Sequence, residues 1–167
     1  MVHFVPFDGS RLAESALLRA AGYADLVDTP VHAHVVIPQG NTEYAREHGW
    51  LDYGDDFDIE TVVVNVREAV TDLVPAAGFD YDVVNRHAPR GVVARTLREA
   101  AIAEDATVVF VGSENAGRVV GPMTTVGSSV VADDRYDVHI VRQELPHQPP
   151  EGDGRGARSR RSDFWLP

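Results

Sequence analysis

A chain of 167 residues with 44% apolar and 25% charged residues has room for one domain with a full hydrophobic core, and little for two. It contains no cysteine, which excludes disulfides, thiolate metal sites and cysteine nucleophiles, and no apolar run nears the ~20 residues that cross a bilayer. The formal net charge is −11 and all 15 basic residues are arginine, so a general nucleic-acid binder is excluded as well.

Self-repulsion of this size is unfavourable in dilute buffer and is screened at high salt. The sequence therefore reads as adapted to a saline cytoplasm; a GC-rich genome would replace lysine by arginine too, and the two can coexist. The chain opens directly on a strand-like segment without a basic or apolar leader, so a cytoplasmic location is expected.

Val2 to Phe7 is a short apolar strand, broken at Asp8-Gly9-Ser10. Ser10 is placed to cap a helix whose apolar stripe is Ala13, Ala16, Leu17, Ala20 and Ala21, with Gly22 near its end. Val31 to Ile37 is the second strand, stopped by Pro38, and the mixed aromatic and acidic run from Asn41 to Asp58 reads as a long loop with a helical turn. Asp58 can cap the next helix, where Val62, Val63, Val66, Val70 and Leu73 recur at helical spacing. Tyr81 to Asn85 is the third strand. Pro89 suits the first position of a helix through Val92, Val93, Thr96, Leu97 and Ala100.

Ala106 to Val111 is a fourth strand, apolar enough to be buried on both faces. A short helix near Gly127 to Ala132 and a last strand, Val138 to Val141, complete the pattern. Strict alternation of strand and helix predicts a doubly wound α/β fold, a five-stranded parallel sheet with helices on both faces. The domain is expected over residues 1–145. From Pro146 the chain is rich in Pro, Gly and Arg, carries +1 against −12 for the rest, and is expected to be a disordered tail over residues 146–167. Arg158, Arg160 and Arg161 followed by Phe164-Trp165-Leu166 make either a docking peptide or a plain unstructured end.

In such folds ligands sit beyond the C-terminal ends of the strands, where connections change direction. That rule selects Pro6 to Ser10 and the glycine-rich stretch VGSENAGRVVGPMTTVGSSVV from Val111. Gly112-x4-Gly117-Arg118-Val119 is not a P-loop, because the Lys and the Mg²⁺-binding hydroxyl are replaced and the stretch follows the fourth strand. Gly127-Ser128-Ser129 at a helix start would instead turn N–H groups and hydroxyls toward an anion. Gly112 at a strand end would let a ligand approach the backbone closely.

With these residues in view the chain resembles the universal stress protein family, whose ATP-binding members carry Gly-x2-Gly-x9-Gly-Ser/Thr after the fourth strand. The resemblance rests on Val5-Pro6-Phe7-Asp8-Gly9-Ser10, His34-Val35, Arg86-His87-Ala88-Pro89, Gly117-x9-Gly127-Ser128 and Tyr136 to Val141. With the acidic composition it suggests a haloarchaeal-type member. It implies a flavodoxin-like strand order 3-2-1-4-5 and an adenine nucleotide, ATP or another, with or without Mg²⁺. The base and ribose would lie near Pro6, Asp8 and Val35, and the phosphates near Gly112, Gly117, Gly127, Ser128 and Ser129, with Val111 also in the nucleotide site. It also implies a homodimer through the last strand, Val138 to Val141.

One departure bears on function. Four residues, Ser-Glu-Asn-Ala, separate Gly112 from Gly117 where the family pattern has two. Glu114 then lies near the phosphates and repels them unless Arg118 offsets it. Two readings stay open: a nucleotide-binding stress or signalling protein, and a relative without nucleotide that acts as a dimeric interaction module.

Other candidates are weaker. His32 and His34 share one strand face, as metal ligands can, but no third ligand is evident. Asp55, Asp56 and Asp58 suit a cation or a solvated acidic loop. Asp8 is either a ribose acceptor or a turn residue. Ser113 lacks the Gly-x-Ser-x-Gly setting of a nucleophile, so no catalytic residue is expected and ATP hydrolysis would at most be weak.

Overall fold

The apolar runs become the strands of one parallel sheet. The computed structural model describes residues 1–112 and 134–146. Its elements, in chain order, are β1 (Val2–Pro6), α1 (Arg11–Val27), β2 (Val31–Pro38), α2 (Thr42–Glu47), α3 (Ile59–Leu73), β3 (Gly78–Val84), α4 (Arg90–Ala103), β4 (Ala106–Gly112) and β5 (Asp137–Val141). The sheet order is β3-β2-β1-β4-β5, and each neighbouring pair is parallel. The doubly wound fold and the order 3-2-1-4-5 are those expected. The helix expected near 127–132, most of the glycine-rich stretch and the tail lie outside the described residues.

The period of two along each strand sends alternate side chains to opposite faces. On one face Val5, Phe7, Val31, Ala33, Val35, Ile37, Phe110 and Val141 pack under Ala13, Ala16, Leu17 and Ala20 of α1 and Val62, Val66 and Val70 of α3. On the other, Phe4, Val36, Val109 and Val111 meet Leu97 and Ala101 of α4, with Tyr136 closing the edge. Full burial of each such Val, Leu or Phe is worth roughly 1.5–3 kcal/mol, which is the force that holds the layers together. The central strands β1 and β4 are buried on both sides, so their C-terminal ends are fixed rigidly.

Besides shifts of one residue at several strand ends, four element boundaries differ from the sequence reading for reasons that packing supplies. Helix α1 runs through Gly22 to Val27 and ends at Asp28, which is in the left-handed region at φ 53. Gly22 has open space around it, and a helix-interior glycine costs only about 1 kcal/mol, less than the burial of Ala24 and the next turn returns. Pro38 ends β2 from inside, paired with Val84, rather than standing beyond it. Strand β3 begins at Gly78, because pairing with β2 extends from His32–Gly78 to Pro38–Val84. Pro89 is the residue before α4 rather than its first.

The expected loop after β2 has more structure than its composition suggested. Asn41 caps the short helix α2 by accepting from the Tyr44 amide. The chain then folds inward, burying Trp50 and Leu51 to 3% and 4% exposure. Asp58 caps α3, its carboxylate accepting from the Thr61 amide at 2.9 Å and the Thr61 hydroxyl at 2.6 Å. After β5, the Leu145 amide donates to the buried Ser15 hydroxyl at 2.9 Å, tying residues 142–145 to α1.

Candidate functional site

The sheet changes direction between β1 and β4. From β1 the chain builds outward to β2 and β3; from β4 it builds the other way to β5. The two strands are parallel neighbours, so Pro6 and Gly112 open on the same edge of the sheet. This is the crevice where a doubly wound sheet takes a ligand.

At the end of β1 the Phe7 amide donates to the His34 carbonyl at 2.8 Å, the last bond between β1 and β2. Asp8 follows, half-buried. Its Oδ1 accepts from the Ser10 amide at 2.9 Å, and the Ser10 hydroxyl accepts from the Ala13 amide at 3.2 Å to cap α1. One carboxylate oxygen thus makes the turn, as a bland reading of Asp8 requires. The other, Oδ2, holds no hydrogen bond among the described residues.

Trp50 closes this turn from the far side. Its indole Nε1–H donates to the Asp8 carbonyl at 3.0 Å. Between them lies Gly9, at φ +83, where a Cβ would stand 2.8 Å from the His48 carbonyl oxygen and 3.1 Å from Trp50 Nε1. Trp50 is braced in turn by the Asn65 amide of α3, which donates to its carbonyl at 2.8 Å. Tyr44 and His48 stack on each other with ring centroids 3.9 Å apart and lie 5.4 and 5.3 Å from the Trp50 ring.

At the end of β4 the reason for glycine differs from the one expected. A Cβ on Gly112 would stand 2.5 Å from the Leu12 carbonyl carbon and 2.7 Å from both the Ala13 nitrogen and the Leu12 oxygen. The space that a ligand was expected to use is filled by the first turn of α1. Val111, beside it, is buried at 6%.

Val35 is 1% exposed, its side chain deep in the α1/α3 core. Pro6 is half-buried, in register with His34. Gly117, Gly127, Ser128 and Ser129 lie outside the described residues, as do Ser113, Glu114 and Arg118. Of the expected site the structure therefore brings together Pro6, Asp8, Val111 and Gly112.

The two strand histidines have structural partners. His34 Nε2 lies 2.9 Å from Asp82 Oδ2, and His32 Nδ1 lies 3.8 Å from Glu104 Oε2. Both rings stack near Phe4, with centroids 5.7 and 6.1 Å away. Burial holds His34 below its ordinary pKa, against the opposing pull of Asp82 and Asp80. Its other ring nitrogen, Nδ1, is buried without a hydrogen-bond partner among the described residues. Among the described residues no group of three or more His, Asp or Glu can hold a metal ion. Asp58, from the acidic run, serves as the cap of α3.

No family model and no curated protein matches the chain. Solved structures do. A universal stress protein in complex with cAMP is similar at TM-score 0.58 and 20% identity, over 84% of this chain and 96% of that one. A member of the universal stress protein family from Burkholderia pseudomallei gives 0.55 and 16%, over 85% and 96%. A universal stress protein from Archaeoglobus fulgidus gives 0.52 and 19%, over 84% and 98%. The fold is that of the universal stress proteins. Among the described residues no helix is long and apolar enough to cross a membrane.

Sequence reasoning missed Trp50, Asn65 and the Tyr44–His48–Trp50 group. One signal was present: a tryptophan in a polar, glycine-bracketed run, His48-Gly49-Trp50-Leu51, has to bury its ring somewhere.

Proposed function

We propose that this chain is a member of the universal stress protein family, of haloarchaeal type, that binds an adenine nucleotide and acts in stress response or signalling in the cytoplasm. The observation that carries the reading is the Asp8 carboxylate. It stands at the switch point of the sheet, held by one oxygen, with the other turned to no protein donor among the described residues. A ribose hydroxyl is the natural donor for such an oxygen. A structural neighbour with the same fold is complexed with cAMP, which supports an adenine nucleotide as the ligand class.

The phosphates belong, in this reading, to Gly117, Gly127, Ser128 and Ser129, with ATP as the expected form and Mg²⁺ as its counter-ion. A helix N-terminus led by Gly-Ser-Ser supplies N–H groups and a favourable dipole for them. No residue is assigned a catalytic role. Two copies would pair through β5, which is an edge strand among the described residues.

A second reading, a relative that binds no nucleotide and works as an interaction module, is favoured by Gly112, whose bare face is occupied by α1. Mass spectrometry of small molecules released from protein purified in high salt, with ATP titration beside it, separates the two. Released adenine nucleotide or saturable ATP binding supports the first; no nucleotide and no binding at millimolar ATP leaves the second. For the dimer, Val138→Asp should yield monomers in sedimentation. An unchanged mass would remove the β5 pairing.

A further inference from the structure

Asp8 is positioned from a distance, by a residue that belongs to none of the glycine-rich or strand-end segments. Three contacts meet at its turn, and a fourth braces one of the residues that make them. The Ser10 amide fixes Oδ1 at 2.9 Å, and the Trp50 indole fixes the carbonyl at 3.0 Å. Gly9 at φ +83 lets the chain reverse between these two points, with the His48 carbonyl against its bare face. Asn65 on α3 holds the Trp50 main chain at 2.8 Å. The result is a relay from α3 through Trp50 to the end of β1.

We propose that Trp50 is a positioning residue for the Asp8 carboxylate, and that through it the loop 48–51 sets the preference of the site for nucleotides with ribose hydroxyls over those without. This rests on the adenine-nucleotide reading. The chemistry is local. With Oδ1 and the carbonyl both engaged, rotation of the carboxylate and of the turn is restricted, and Oδ2 keeps one direction in which to accept a hydroxyl proton. A site preorganised in this way rejects an analogue that lacks the hydroxyl, because a half-buried carboxylate oxygen is then left dry and unpaired. Once the indole bond is lost the turn can rotate, water reaches Oδ2 more easily, and the penalty for the missing hydroxyl falls.

The buried ring explains why the device needs tryptophan. Phenylalanine would fill much of the same apolar space beside Tyr44 and His48 but has no N–H to offer the Asp8 carbonyl. Trp50→Phe should therefore alter selectivity more than it alters folding.

The test compares binding of ATP with that of 2′,3′-dideoxy-ATP by calorimetry at high salt. The wild type should prefer ATP by about tenfold. Asp8→Ala should remove the preference, and Trp50→Phe should reduce it at least threefold while the circular dichroism spectrum is kept. Asn65→Ala, a milder break in the same relay, should move the ratio in the same direction by less, and decides the matter if Trp50→Phe does not fold. An unchanged ratio in the variants, or equal weakening toward both nucleotides, makes Trp50 a packing residue only and overturns the proposal. So does a wild type that binds both nucleotides equally. A wild type that binds neither overturns the nucleotide reading itself, which is a different outcome.

Discussion

The ends of β1 and β4 look alike in sequence, each an apolar strand running into a glycine, yet the two glycines serve different needs. Gly9 is required by conformation as well as by space: its φ of +83 is in the region where only glycine is unstrained, and the His48 carbonyl sits against it. Gly112 has no positive φ. It is required by space alone, since the helical backbone of Leu12 and Ala13 lies where its Cβ would be. The comparison teaches that a bare backbone at a strand end marks a close approach without saying of what. At β4 the approaching group is the protein's own helix; at β1 it is the His48 carbonyl and the Trp50 indole.

The largest expected effect would break this comparison at β4. Gly112→Ala forces α1 away from the sheet and should cost about 3 kcal/mol, the upper range for overpacking against rigid backbone, read from the shift in denaturant midpoint. A midpoint within experimental error of wild type would mean that α1 does not pack as described. Gly9→Ala should cost roughly 2 kcal/mol, combining left-handed strain with a contact that the 48–51 loop can partly relieve. If its loss equalled or exceeded that of Gly112→Ala, the distinction between a yielding loop and a fixed helix would not stand.

Ser10→Ala should cost about 1 kcal/mol, the usual effect of removing a helix cap, since it leaves the Ala13 amide without its 3.2 Å acceptor. Because Asp8 makes its own bond to the Ser10 amide, that variant should leave the β1 turn in place, as the amide exchange rate at Ser10 would report.

The smallest effect is the response to pH, and it distinguishes the two ends by location. Burial lowers the pKa of His34 in the folded state, so the unfolded chain takes up its proton first as pH falls. Stability from this group is complete above about 6.5, the ordinary histidine value, and declines as pH falls from there through the depressed folded value. The His34 carbonyl receives the Phe7 amide. Protection of the Phe7 amide, taken relative to its intrinsic exchange rate at each pH, should therefore fall on acidification before that of the β4 amides, and His34→Gln should remove the difference. An equal loss of protection at both ends would assign the effect to global unfolding.

The order of elements was legible because it depends on local patterning. Continuous apolar runs such as Ala106 to Val111 read as buried strands, and Val62, Val66 and Val70 mark a helix face by spacing alone. The Ser10 and Asp58 caps were legible for the same reason, their partners lying three residues on. Boundaries were less so. Gly22 signals a helix end locally, but burial of Ala24 under the sheet outweighs it, and Gly78 joins β3 because β2 offers seven residues of pairing.

For the site, Asp8 could be named as a turn residue or an acceptor; the structure shows the turn, made by one carboxylate oxygen. Gly112 was visible as a close approach, while its neighbour, Leu12, comes from an element a hundred residues earlier in the chain. The sequence signals that Trp50 is buried but not its bond to Asp8, which spans 42 residues of sequence.

By itself, then, the sequence determined what depends on neighbours along the chain, the strands, helices and caps, and a net charge of −11. The tertiary structure alone decided what fills the space beside each strand end. That outcome depends on how α1 and the 48–51 loop pack against the finished sheet, and contacts between distant segments exist only once the sheet has brought them together.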